Sequence, residues 1–393
     1  MLTRRKFMHS TAAATGALLT GCSLATKRAR LVAGLSDAFQ KDFRLGTSVQ
    51  NHTLDTTDAP LLSLIAQEFN AITADNAMKW DALQPALKVF NWQRADQFVE
   101  FGRRHDMRMV GHVLVWHKQT PERVFRNHLD ESDTPAFASR TQLLGRMEDH
   151  IGTVVDRYRA DITEWDVVNE AIEGGKWLKS HWYNIIGPEY VQYAFQFARD
   201  ANPNATLIYN DYGVTNPKKQ DAILDLLKRV KKSGVKVDGV GMQCHLSLED
   251  GYPSTKMIEQ AIVRFAREGY QVFITELDVD VLPRAWQHVR QPPLQPLHID
   301  EFTASEIRAL DPYAANFPDP VSEQLGDRYA SVFDVFMRHA DKIPRVTLWG
   351  TSDSESWKNN WPILGRTNYP LLFDHARKPK KAYFRVLDVA QRQ

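Results

Sequence analysis

Two glutamates stand where an apolar run gives way to polar residues: Glu170 closes "ITEWDVVNE", and Glu276 lies in "VFITELDVD". A carboxyl at the end of a buried strand is exposed on one side only, so its protonation can be tuned by what surrounds it. Two such groups facing one another form the pair that glycosidic cleavage requires. One is protonated to donate to the leaving oxygen, and the other is ionised to attack the sugar or to activate water. Other titratable groups lie close in the chain. His245 and Asp278, if both point inward, bond to one another beside Glu276, and a cation-facing carboxylate stays ionised. Glu170 must instead carry its proton near neutral pH, which the charge of Glu276 and an apolar, Trp-lined wall would favour.

Elements must bring these remote stretches together. Short, β-rich apolar runs alternate with helix-like stretches to the C-terminus. The runs are 43–49, 71–75, 107–116, 162–170, 205–211, 237–245, 272–279 and 346–353; amphipathic stretches between them include 61–69, 94–105, 143–157, 190–200, 220–233, 256–268 and 327–340. Eight such units with no Gly/Ser linker predict an α/β fold, a single-domain (β/α)8 TIM barrel spanning 26–393. Most runs end in polar or aromatic residues: Asp75-Asn76, Trp116-His117, Asn169-Glu170, Asn210-Asp211, Gln243 and His245, Glu276 and Asp278, Trp349 and Asp353. Barrel active sites sit at the strand C-termini, so these side chains converge on one mouth, with Glu170 on the fourth strand facing Glu276 on the seventh. The proline-rich connection 283–320 after the seventh strand is read as a loop at that mouth, a flap shaping the substrate groove.

Composition narrows the chemistry further. The 393 residues are 43% hydrophobic and 25% charged, which is globular, and a net charge of +1 offers no field for a polyanion, so nucleic acid is not an expected partner. No HExxH occurs, and His112, His117 and His245 lack zinc spacing; no metal or other cofactor is expected. GxSxG, GxGxxG and Walker sequences are absent too. Residues 1–25 read as a twin-arginine-like export signal, with Arg4-Arg5 before an apolar stretch too short to span a bilayer. Leu19-Thr20-Gly21-Cys22 reads as a lipoprotein box that would acylate Cys22 and anchor the exported chain in the periplasm or at the outer membrane. The rival is cleavage after Ser23-Leu24-Ala25, releasing a soluble protein. The remaining cysteine, Cys244, is expected to be a small buried hydrophobe.

The chain resembles the endo-β-1,4-xylanases of glycoside hydrolase family 10. The resemblance rests on "NAITADNAMKWD", "GHVLVWHKQTP", "WDVVNEA", "YNDY", "VDGVGMQCH", "ITELDV" and "LWGTSDSESW", in that order across nearly the whole mature length. It implies action on xylan and xylo-oligosaccharides by a retaining double displacement, with Glu170 as acid/base and Glu276 as nucleophile; separately, a monomer is expected. A retaining pair stands about 5–5.5 Å apart, an inverting pair about 6.5–9.5 Å. Asn169 matches the residue that bonds the 2-hydroxyl of the reacting sugar. Asn76, Lys79, His112, Trp116, Gln119, Gln243, Trp349 and Trp357 match positions lining the glycone subsites, and Asp75 and Tyr212 are further substrate contacts. Two departures stand out. Asp75 replaces the usual Glu, one methylene shorter, and Gly213 stands where Asn is common on the aglycone side. Two alternatives differ in chemistry. A β-1,4-glucanase would use the same carboxylates and is separated by crowding near Lys79, Trp349 and Trp357, whereas an inactive carbohydrate-binding barrel would not need both Glu together with Asn169 and His245.

Overall fold

Strands covered on both faces are apolar along their whole length rather than in alternation, and the eight runs fold on that principle. The computed structural model describes residues 34–55, 58–127, 136–249, 252–285 and 295–392. The leader 1–25, with the acylation expected at Cys22, lies outside the described residues, as do 286–294 of the long connection. The strands are β1 (Arg44–Val49), β2 (Ala71–Ala74), β3 (Arg108–Val115), β4 (Ile162–Asn169), β5 (Thr206–Asp211), β6 (Gly239–Met242), β7 (Gln271–Asp280) and β8 (Arg345–Leu348), nearly every residue of each being buried. Each pairs in parallel with the next, and β8 pairs with both β7 and β1, closing the barrel.

A helix follows every strand: α1 (Ala59–Glu68), α2 (Gln93–Arg104), α3 (Arg140–Arg157), α4 (Tyr190–Ala201), α5 (Pro217–Lys232), α6 (Thr255–Arg267), α7 (Asp319–Arg338) and α8 (Lys381–Gln391). Each lays an apolar stripe on the strands, as α6 does with Ile258, Ala261, Ile262 and Phe265 at helical spacing. Ser139 starts α3 with a capping box, accepting from the Gln142 N–H while the Gln142 side chain takes the Ser139 N–H. Glycine is required where the interior is tightest: a Cβ on Gly111 of β3 would run into the Trp165 ring of β4, and one on Gly241 of β6 into the Asn210 carboxamide of β5.

Three details depart from the sequence reading. The sixth run breaks after Met242, Cys244 turns left-handed (φ 57), and His245–Ser247 resumes beside the end of β7, pairing His245 with Asp278. The eighth strand stops at Leu348, and Asp353 instead opens a 3-10 turn, its carboxylate buried against Lys380 at 2.8 Å. The connection 283–320 is not a plain loop. Leu297–His298 pairs with Ile363–Leu364, a helix runs over Ala304–Leu310, and α7 begins at Asp319, eight residues before the expected start, because a proline is tolerated in a first helical turn.

Candidate active site

The mouth is built at the C-terminal ends of the strands. Just past β4 the backbone is left-handed at Glu170 (φ 59), a costly conformation for a side chain with a Cβ, and the same is true of Gln119 (φ 46) beyond β3. Glu170 Oε2 accepts from Trp116 Nε1 at 2.9 Å, and its Oε1 accepts from Gln243 Nε2 at 3.1 Å. Trp116 is itself fixed, since its carbonyl accepts from Trp182 Nε1 and Thr120 Oγ1, each at 2.9 Å.

Glu276, near the end of β7, also has two donors. Asn210 Nδ2 donates to its Oε1 at 2.7 Å, and His245 Nε2 lies 3.2 Å from Oε2. The other nitrogen of that ring, Nδ1, stands 3.0 Å from Asp278 Oδ1, an ion-pair contact. Asp278 is fully buried, accepts from Trp357 Nε1 at 2.8 Å and has Lys358 Nζ at 3.4 Å. Burial opposes a charge on His245, but Asp278 and then Glu276 outweigh it and hold the ring up to about 9. The expected His245–Asp278 pairing beside Glu276 is therefore present.

The two carboxyls belong to one network. Asn169 Oδ1 accepts from both Asn210 Nδ2 and Gln243 Nε2 at 3.1 Å, so bonds run from Glu276 through Asn210, Asn169 and Gln243 to Glu170. With its oxygen engaged twice, Asn169 has only its amide nitrogen left to offer a ligand.

Glu170 differs from expectation in its charge. Burial raises its carboxyl, yet His117, the Gln243 donor, Lys118 and the Trp116 donor together outweigh that and hold it below the ordinary range. The open groove therefore favours the ionised form, because His117 first, and then the hydrogen bonds to both oxygens and Lys118, stabilise the anion. An apolar Trp-lined wall is the wrong description: Trp116 presents its N–H.

On the opposite rim, Asn76 Oδ1 accepts from Lys79 Nζ at 3.0 Å and Gln119 Nε2 at 3.1 Å, while its Nδ2 donates to Asp75 at 2.9 Å. Burial pushes the Asp75 carboxyl up, countered by Lys79 and His112. Lys79 Nζ lies 5.0 Å from the centre of the Trp116 ring, tying this rim to the acid side. His112 Nδ1 is 2.9 Å from Asp166, and its ring meets Trp349 edge-on at 5.2 Å. Trp357 tilts over His245 at 5.1 Å. Tyr212 stands apart from these, half-exposed, bonded through its hydroxyl to Glu173 with Lys219 over its ring.

Sequence reasoning brought Asn210 to the mouth without giving it a role, and passed over Asp166 and Lys358. Asn210 carried a signal, since it ends a strand run, but its neighbour Asp211 carried the same one. Cys244 is buried as expected, and burial pushes its thiol up to about 12.

Comparison with known proteins adds to this geometry. Residues 34–389 match the model of "Glycosyl hydrolase family 10". The chain is 37% identical over 354 residues to endo-1,4-beta-xylanase A of Xylanibacter ruminicola, covering 88% of this chain and 90% of that one. It is 36% identical over 369 residues to an endo-1,4-beta-xylanase of Geobacillus stearothermophilus, covering 91% and 99%. Among solved structures, a GH10 endoxylanase retrieved from sugarcane soil metagenome is similar with a TM-score of 0.83 at 46% identity, covering 91% of this chain and 99% of that one.

Proposed function

The chain belongs to glycosyl hydrolase family 10 and is a glycosidase, and from that premise we propose that it hydrolyses internal β-1,4 bonds of xylan with retention of configuration. The observation that carries the reading is the hydrogen-bond network joining Glu170 and Glu276 across the barrel mouth. In the first step Glu276 attacks the anomeric carbon while Glu170 gives its proton to the departing oxygen. In the second, Glu170 takes a proton from water, which attacks the glycosyl-enzyme ester and releases the sugar in its original configuration. In this reading Asn169 donates through Nδ2 to the 2-hydroxyl, a bond that strengthens as positive charge develops on the ring. Asn76, Lys79 and Gln119 supply donors and acceptors for further glycone hydroxyls.

A polysaccharide lying over Glu170 removes water without adding positive charge. That raises its carboxyl from the low value of the open groove toward the protonated form the first step uses.

Xylan is supported as substrate by the activities of the relatives, and crowding near Lys79, Trp349 and Trp357 would separate it from a β-1,4-glucan, whose sugars carry a hydroxymethyl group. Faster hydrolysis of soluble cellulose than of xylan would overturn that choice. The mechanism is tested with aryl β-xylobiosides. Glu276→Ala should lose turnover on every substrate, whereas Glu170→Ala should keep glycosylation when the leaving group is good. Azide should rescue the two variants as products of opposite anomeric configuration. A first-formed product of inverted configuration, seen by NMR, would exclude the double displacement. The leader sequence supports export with lipidation at Cys22, and an unlipidated mature chain starting at Thr26 would refute the anchor.

A further inference from the structure

A buried cluster on the outer face of β5 takes no part in these steps. Alternation along a strand turns Asn210 toward the mouth and its neighbours Tyr209 and Asp211 the other way, against α5. Tyr209 and Asp211 are fully buried. The Tyr209 hydroxyl donates to Asp211 Oδ2 at 2.6 Å, and Lys219 Nζ of α5 lies 2.7 Å from Asp211 Oδ1. That hydroxyl also accepts, at 3.1 Å, from the backbone N–H of Ala171, the residue immediately after Glu170.

The location matters because of the turn it holds. A non-glycine residue in the left-handed region costs on the order of 1–3 kcal/mol unless its surroundings over-determine it. Glu170 is bracketed: its own N–H donates to the Asn210 carbonyl at 3.0 Å, and the next N–H donates to Tyr209. Both bonds come from β5, and between them lies the Cα from which the carboxyl projects. Packing alone asks only for an aromatic ring at 209, whereas the Ala171 N–H asks for an oxygen. Asp211 accepts the hydroxyl's hydrogen bond, which leaves the phenol's lone pair for Ala171. Burial, then Asp211, pushes the phenol far above its ordinary value, so it keeps that proton.

We propose that Tyr209, backed by the Asp211–Lys219 ion pair, is a positioning residue that aims the Glu170 carboxyl at the leaving oxygen. The proposal rests on the reading of Glu170 as the acid/base. A misaimed acid slows a substrate in proportion to the protonation its leaving group needs, a signature that general loss of structure does not produce.

The test measures kcat/KM on phenyl and 2,4-dinitrophenyl β-xylobioside for wild type, Tyr209→Phe, Glu170→Ala and the double variant Asp211→Asn/Lys219→Met. The double variant removes the ion pair as a unit and leaves the ring of Tyr209 in place. Tyr209→Phe should lose roughly tenfold to a hundredfold on the phenyl substrate and less than about threefold on the dinitrophenyl one. The double variant should repeat the pattern more weakly, and it carries the test if Tyr209→Phe fails to fold. Equal losses on both substrates, or none, alongside a strong leaving-group dependence in Glu170→Ala, would overturn the positioning role alone. Absence of that dependence in Glu170→Ala would overturn the acid/base reading itself.

Discussion

His245 touches both acidic partners of the β7 end, 3.2 Å from Glu276 and 3.0 Å from Asp278, and is held up to about 9. Its folded value exceeds the unfolded one of about 6.5, so its stabilisation is complete below about pH 6.5 and disappears as pH rises through about 9. The amount at stake is of order 1–3 kcal/mol. Urea unfolding at pH 6.5, 7.5 and 9 should show wild type losing stability over that window and His245→Gln losing less; parallel curves would contradict the pairing. Asn210 makes the shortest bond to Glu276 and also reaches Asn169, so Asn210→Ala withdraws a donor from a charged group. A loss of roughly ten- to a hundredfold in kcat/KM is expected, together with a lower melting temperature, because Asn169 and Thr275 lose a buried partner. Glu170 adds a pH effect of its own. Its carboxyl is low in the open groove and rises when covered, so kcat/KM, which reports the free enzyme, should fall with increasing pH earlier than kcat does.

The strands and helices were legible because parallel strands buried on both faces leave unbroken apolar runs and the covering helices leave 3.6-residue stripes. Every run became a strand, and most of the polar residues at the run ends gathered at one rim, Asp211 and Asp353 being the exceptions. What sequence could not supply was the face each polar residue takes. Asn210 and Asp211 are adjacent and equally polar, yet one bonds Glu276 inside the mouth and the other bonds Lys219 outside the wall. Period-two alternation requires opposite faces but does not say which is which until β5 is in register with β4, where Asn169 opposes Asn210. The break in β6 was hidden for a related reason, since nothing in "GMQCH" marks Cys244 as left-handed, and prolines in 283–320 concealed the short helix between them. Register also makes one glycine decisive. Gly111 lies directly before His112 on β3 and against Trp165 on β4, so Gly111→Ala must push one strand away from the other. We expect a cost of about 1–3 kcal/mol, read as a lower melting temperature, together with a fall in activity, because His112 and Trp116 move with the strand.

Taken whole, the barrel separates its two ends by task, and the charges at the closed end show it. Opposite the mouth, Arg345 at the start of β8 reaches Glu164 near the start of β4 at 3.0 Å, with Arg108 of β3 3.5 Å from the same carboxylate. Arg345 is 1% exposed, lies 5.5 Å from the centre of the Phe273 ring, and has one guanidinium nitrogen, Nη2, with no protein partner among the described residues. Removing one member of such a pair strands a buried charge and costs about 3–5 kcal/mol, whereas replacing both by apolar groups is often neutral or stabilising. Arg345→Met should therefore lower the melting temperature markedly, and Arg345→Met/Glu164→Leu should recover most of the loss. Neither should change kcat per folded molecule, because the catalytic end is built by the strand tips and not by what plugs the base. Thermal melts paired with active-site titration separate the two quantities. A drop in kcat at full folding in Arg345→Met would mean that the closed end transmits strain along β8 to Trp349, and that the division of labour between the ends does not hold.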